Sequence, residues 1–290
     1  MRPRLPAAMP WTRAAQAPER TRGGLTNRPG REREPAEKFG TIAAVAAIAL
    51  LSMLGGCSLW RPVTIPMSTL AAPSPCHPRP DTLLVMLPGA YSRPDEFLHE
   101  GFVRAVHERG VLADVLLVDA HVGYYAEKSI VERLHADVIE PALAQGYAHI
   151  WLVGISIGGF GSLIYSEARP QGISGVVTIG PYLGKPRLID EIAAQGGLRS
   201  WVAPPGPLGV DDADQVVWRW LQTDAATRPA VFLGYGREDR FSVSHRLLAG
   251  SLPPHRVFTA TGGHDWAPWL AVWKNILDAM PLKRDAACAA

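Results

Sequence analysis

The pentapeptide Gly154-Ile155-Ser156-Ile157-Gly158, followed at once by Gly159, puts a serine where covalent chemistry is possible. The apolar run His149–Ile155 reads as a strand and Gly158–Glu167 as a helix, so Ser156 falls on a tight strand-to-helix turn. Such a turn needs neighbours without side chains. It holds the serine in a strained conformation and presents the hydroxyl at the carboxyl edge of a sheet. The helix N-terminus behind it offers free N–H groups and a dipole that favour developing negative charge. The competing reading is a glycine turn that only packs helix on strand. The five residues alone would not separate the two; the strand before and the helix after favour a nucleophile.

A hydroxyl is a weak nucleophile. It needs a base, and the base needs an orienting acid. Both follow in the chain, each just past a predicted strand. Ala230–Tyr235 leads into Gly236-Arg237-Glu238-Asp239-Arg240, and Arg256–Ala260 leads into Thr261-Gly262-Gly263-His264-Asp265-Trp266. The order serine, acid, histidine, each at a strand's carboxyl end, puts all three on one edge. His264 is the candidate base. Asp239 is the candidate acid, with the adjacent Glu238 able to do the same work. Asp265 sits beside His264 in sequence and is expected to cap the closing helix instead. Acyl transfer also needs two donors aimed at the carbonyl oxygen as it gains charge. The N–H of Ile157 is one candidate. The loop Pro88-Gly89-Ala90-Tyr91 supplies the other, with Ala90 preferred and Tyr91 the alternative; an ordinary Pro-Gly turn is the competing reading.

These groups require a parallel sheet. Predicted strands at Thr82–Leu87, Leu112–Val118, His149–Ile155, Ile173–Ile179, Ala230–Tyr235 and Arg256–Ala260 alternate with predicted helices at Glu96–Glu108, Ala126–Ala144, Gly158–Glu167, Val243–Gly250 and His264–Met280. Near-continuous Val/Ile/Leu strands alternating with helices imply a mainly parallel sheet covered on both faces. One α/β domain is expected over 81–290. Residues 184–224 form a small helical insert, either a cap over the site or core. Trp266, Trp269 and Trp273 recur at core spacing, and Tyr124 and Tyr125 are pocket candidates.

With those motifs in place, the chain from Thr82 to Leu282 resembles the α/β-hydrolase fold. Gly154–Gly159 matches the family's elbow, Asp239 its acid position and His264 its histidine. The stretch Gly263-His264-Asp265-Trp266-Ala267-Pro268-Trp269 is similar to the histidine loop of the esterase D and feruloyl esterase branch. The loop after the first predicted strand departs from the commoner His-Gly form. The resemblance implies hydrolysis of carboxylic ester or thioester bonds through an acyl-enzyme, without cofactor or metal. A peptidase or lipase would share the machinery. The alternative from another class is a non-catalytic envelope protein of the same fold that binds a ligand or partner.

The N-terminus reads as an address. Residues 1–40 hold nine Arg/Lys and four Glu, a net of +5 against +2 for the whole chain, so the remainder carries −3. Residues 1–37 show no apolar period and read as disordered or as an over-long start to the reading frame. After Lys38 come 22 uncharged residues, Phe39 to Trp60, with an unbroken apolar core from Ile42 to Leu51. That is the layout of a secretory signal. Its end, Leu54-Gly55-Gly56-Cys57, resembles the lipobox of bacterial lipoproteins, which implies cleavage before Cys57, acylation there, and, with Ser58 following, outer-membrane sorting facing the periplasm. A single spanning helix is the competing reading, since about 20 apolar residues suffice. Residues 1–56 are thus expected as extension and signal, and 57–80, rich in proline, as a semi-rigid tether. Cys76 and Cys288 either pair or stay free. An overall charge of +2 gives no argument for nucleic acid, and no Cys/His spacing suits a metal.

Overall fold

In a computed structural model of the chain, residues 61–289 are described apart from 76, 78, 207, 224 and 225. The predicted signal segment, its lipobox and Cys57 lie outside them. Seven strands form the sheet: β1 (Thr69–Ala72), β2 (Thr82–Leu87), β3 (Asp114–Val118), β4 (His149–Ile155), β5 (Ile173–Ile179), β6 (Ala230–Gly236) and β7 (Val257–Ala260). Their order is β1-β3-β2-β4-β5-β6-β7. All neighbours are parallel except β1, which runs antiparallel to β3 with Thr69 opposite Val118.

The apolar runs of β2, β4 and β5 carry no polar alternation because both faces are covered. Leu84 and Met86 point into one layer with Phe102, Trp273 and Ile276, while Leu83, Val85 and Leu87 point into the other with Leu134, Ile139 and Tyr165. The helices are α1 (Glu96–His99), α2 (Phe102–His107), α3 (Val122–Ala126), α4 (Ile130–Leu134), α5 (Glu140–Ala144), α6 (Ile157–Ala168), α7 (Pro186–Ala194), α8 (Ala213–Gln222), α9 (Ser242–Ala249) and α10 (Trp266–Ala279). From β2 the chain steps to β3 on one side. β4 lies on the other side and leads away through β5, β6 and β7. The crevice beyond the carboxyl ends of β2 and β4 is therefore the topological switch point, where open α/β sheets take ligands.

Three expectations change, and one open alternative, that of the insert, is decided. The predicted helix Glu96–Glu108 is two helices, because Gly101 takes a left-handed φ of 81° between them. The predicted helix Ala126–Ala144 is α4 and α5 joined by a π turn over His135–Ile139, just before Pro141, which has no N–H to give. The insert 184–224 sends Trp201 and Trp218 into the core with Leu163, Val176 and Val231, and the Trp218 indole donates to the Leu183 carbonyl at 2.8 Å. The tether reading of 57–80 is corrected for its described part. Met67 is buried, and residues 69–72 are an edge strand held by backbone pairing. The largely exposed side chains of β1 gave no apolar pattern to read.

Candidate active site

Each chemical group sits at a strand's carboxyl end. Ser156 follows β4 at φ 53°, ψ −115°, a backbone conformation that costs a non-glycine residue on the order of 1–3 kcal/mol and persists only when over-determined. Its N–H donates to the Ile179 carbonyl and its own carbonyl accepts from the Tyr182 N–H, both at 3.0 Å. The glycines explain the tightness. A Cβ on Gly154 would lie 2.1 Å from the Gly158 carbonyl oxygen, and one on Gly158 2.2 Å from that of Leu87.

His264 and Ser156 lie 108 residues apart in sequence, yet His264 Nε2 is 3.0 Å from Ser156 Oγ. On the far side of the ring, Nδ1 is 2.8 Å from Asp239 Oδ2. The Asp239 carboxylate is fully buried, and its other oxygen accepts from the Phe241 N–H at 2.8 Å. Burial alone would favour the neutral acid. The bonds from His264 and the Phe241 N–H outweigh it and hold the carboxyl below the usual range, so it stays ionised. Glu238 is exposed and turns away to accept from the Gly262 N–H. Asp265 caps α10 through the Trp266 N–H.

The two candidate donors of negative-charge stabilisation flank this serine. Ile157 is the first residue of α6, and first-turn N–H groups have no partner within a helix. The loop of Ala90 is a turn closed by Ser92 N–H to Gly89 C=O at 3.1 Å, and a Cβ on Gly89 would lie 3.6 Å from that of Ser156.

No protein-family model matches the chain, and no curated protein does. Solved structures do. A candidate esterase from Staphylococcus aureus superposes with a TM-score of 0.51 at 12% identity, covering 78% of this chain and 84% of its own. This chain has the α/β-hydrolase fold. An S-formylglutathione hydrolase from S. aureus (14% identity, 76% of this chain, 97% of its own, TM-score 0.48) and a monoacylglycerol lipase from Paleococcus ferrophilus (15%, 74%, 99%, 0.48) are also similar.

Within this α/β-hydrolase fold the structure adds roles that the sequence did not show. The His264 ring meets Phe241 and Trp269 edge-on, with centroids at 5.2 and 4.8 Å. Two such contacts fix the plane of the imidazole, on which both of its hydrogen bonds depend. Trp269 thus supports His264 as well as the core, while Trp273 is core throughout, its indole donating to the Phe102 carbonyl. The i, i+3 spacing could not reveal the first role. Tyr124 is buried and bonds Thr64, and the Tyr125 hydroxyl is buried against Gly161. Arg61 was not foreseen at all. It pairs with Asp119 at 2.6 Å and donates to the Ser92 carbonyl at 3.3 Å, pinning the loop of Ala90.

His245 lies behind this site, fully buried. Its Nε2–H donates to the Pro181 carbonyl at 2.8 Å, and its Nδ1 has no partner among the described residues. Pro181 precedes Tyr182, whose N–H holds the Ser156 carbonyl. Burial pulls the His245 pKa down from 6.5 to about 4. Between those values the unfolded chain binds a proton that the fold refuses, so stability falls as pH drops through the window. The loss attributable to this group reaches about 3 kcal/mol by pH 4. His107 and His121 are held down by burial too and act in the same direction. Urea unfolding at pH 7 and pH 4 is expected to show a smaller difference in His245→Gln than in the parent; equal differences would refute this account.

Proposed function

We propose that the chain is a serine hydrolase that cleaves carboxylic ester or thioester bonds through an acyl-enzyme. The observation that carries this reading is the continuous relay Asp239–His264–Ser156, with both ring nitrogens of His264 within hydrogen-bond reach. His264 takes the proton of the Ser156 hydroxyl as the oxygen attacks the acyl carbon, and the buried Asp239 carboxylate steadies the imidazolium. The N–H groups of Ile157 and Ala90 stabilise the oxyanion. His264 then protonates the leaving group. Water enters, gives its proton to His264 and releases the acid.

The surroundings suit an apolar acyl group. Phe160, Tyr182 and Phe241 form an edge-to-face chain beside the nucleophile, with centroids at 5.5 and 5.9 Å. Aromatic side chains at that edge favour hydrocarbon over a charged or peptide chain. We further propose that acylation at Cys57 tethers the protein to a bacterial envelope membrane, as the lipobox resemblance implies.

A fluorophosphonate probe tests the enzymatic reading, because it reacts only with an activated serine. The folded parent protein is expected to label at Ser156 and to hydrolyse p-nitrophenyl esters, with a preference among chain lengths that defines the acyl pocket. Folded protein that neither labels nor turns over any ester would instead be a binding protein of the same fold.

A further inference from the structure

We infer that the mouth of the site faces the membrane, and that the substrate is an acyl ester presented at the bilayer surface rather than a freely soluble one. The inference rests on the hydrolase reading and on the acylation of Cys57. Its new element is where the chain enters the fold. A tether running from 57 to 80 would let the domain stand off and turn freely. The described residues from 61 onward do not behave as a tether.

Arg61 is fastened at the catalytic edge. Its guanidinium holds Asp119, the residue after β3, and the carbonyl of Ser92, which closes the turn beside Ser156. The Thr64 N–H donates to the Tyr124 hydroxyl, which in turn donates to the Thr64 carbonyl. Asp119 and Tyr124 follow β3 and Ser92 follows β2, all at the carboxyl end of the sheet. β1 then runs antiparallel to β3, away from that edge, with Thr69 opposite Val118 and Ala72 opposite Val115. The chain therefore comes in at the rim that carries the nucleophile.

Cys57 is four residues before Arg61. Four residues reach at most about 14 Å even when fully extended. Acyl chains at Cys57 would keep this rim within roughly that distance of the headgroups, and the opposite end of the sheet would face away. The rim is also furnished for such contact. Ile65, Tyr91 and Val243 are 72%, 79% and 46% exposed. Each belongs to a segment at the carboxyl edge: the clamped entry, the loop after β2, and the start of α9 just past Asp239. Exposed apolar side chains around a site mouth favour an interface over water.

The test uses the full acylated chain in vesicles of phosphatidylethanolamine and phosphatidylglycerol. One substrate, 4-methylumbelliferyl palmitate, is held in the bilayer; the other, 4-methylumbelliferyl butyrate, is in solution. A rigid spacer of about 20 prolines between Ser58 and Leu59 lifts the domain by roughly 60 Å. The palmitate rate is expected to fall about tenfold or more, as the effective concentration of substrate is lost, while the butyrate rate changes less than about twofold. Equal rates with and without the spacer on both substrates would overturn the inference.

A second measurement needs no spacer. An environment-sensitive dye on Ile65→Cys should shift to the blue on reconstitution, and one on Leu143→Cys, in α5, should not. The reverse pattern, or no difference, would also overturn the inference. Failure of a premise reads out separately. Absent butyrate turnover in the parent removes the hydrolase reading, and absent labelling of Cys57 by a palmitate analogue removes the anchor.

Discussion

Ser156→Ala is expected to lower kcat for a p-nitrophenyl ester by about 10⁵- to 10⁶-fold while leaving the protein folded. Removing Oγ removes the attacking atom, the one hydroxyl that the structure places within hydrogen-bond distance of His264 Nε2 among the described residues. The residual rate should still exceed that in water, since the proposed oxyanion donors, the Ile157 and Ala90 N–H groups, remain. Stability should change little. The strain at φ 53° belongs to the backbone and persists with alanine. Initial rates and a thermal midpoint measured on the same preparation check both halves. A folded Ser156→Ala protein that retained a tenth of the parent rate would exclude this serine as nucleophile.

Asp239→Asn is expected to cost about 10⁴-fold in kcat, with substrate binding nearly intact. The reason lies in the second hydrogen bond of the carboxylate. One oxygen of Asp239 accepts from the Phe241 N–H at 2.8 Å and the other meets His264 Nδ1. An asparagine there must keep its carbonyl oxygen on the Phe241 N–H, since an NH₂ facing that donor would leave two donors opposed. Its NH₂ then faces Nδ1, which must act as acceptor, so the ring proton moves to Nε2. That nitrogen faces Ser156 Oγ and can no longer take its proton. The loss should therefore appear in kcat far more than in KM. Glu238→Gln, which leaves this geometry alone, should change kcat by less than about threefold. A large loss in Glu238→Gln with a small one in Asp239→Asn would reverse the assignment of the acid.

The two variants probe different features of one arrangement. The turn between β4 and α6 sets the Ser156 hydroxyl against His264, and the glycine contacts at 154 and 158 fix that turn. The His264 ring is held on both nitrogens and on both flanks by Phe241 and Trp269, the geometry a base would need. Neither depends on a loop closing, since the relay distances are already those of hydrogen bonds.

The sequence by itself determined the central sheet and the residues at its edge. β2, β4 and β5 coincide with the runs predicted for them, because strands buried on both faces are apolar at every position and are bounded sharply by turns. Serine, acid and histidine were legible because each follows a predicted strand of that parallel sheet. A strand's direction fixes which edge its next residue occupies.

Only the tertiary structure showed that Asp239 meets His264 while Glu238 turns to the Gly262 N–H, because adjacent residues project differently and their partners are some 25 residues distant in the chain. Likewise, only the structure showed that the proline-rich entry is clamped at the catalytic rim. Its anchors are an ion pair across 58 residues and backbone pairing by an exposed edge strand, and neither leaves a periodic trace in the amino-acid order. Local spacing carries burial and direction. Contacts between distant segments exist only once the chain has closed on itself.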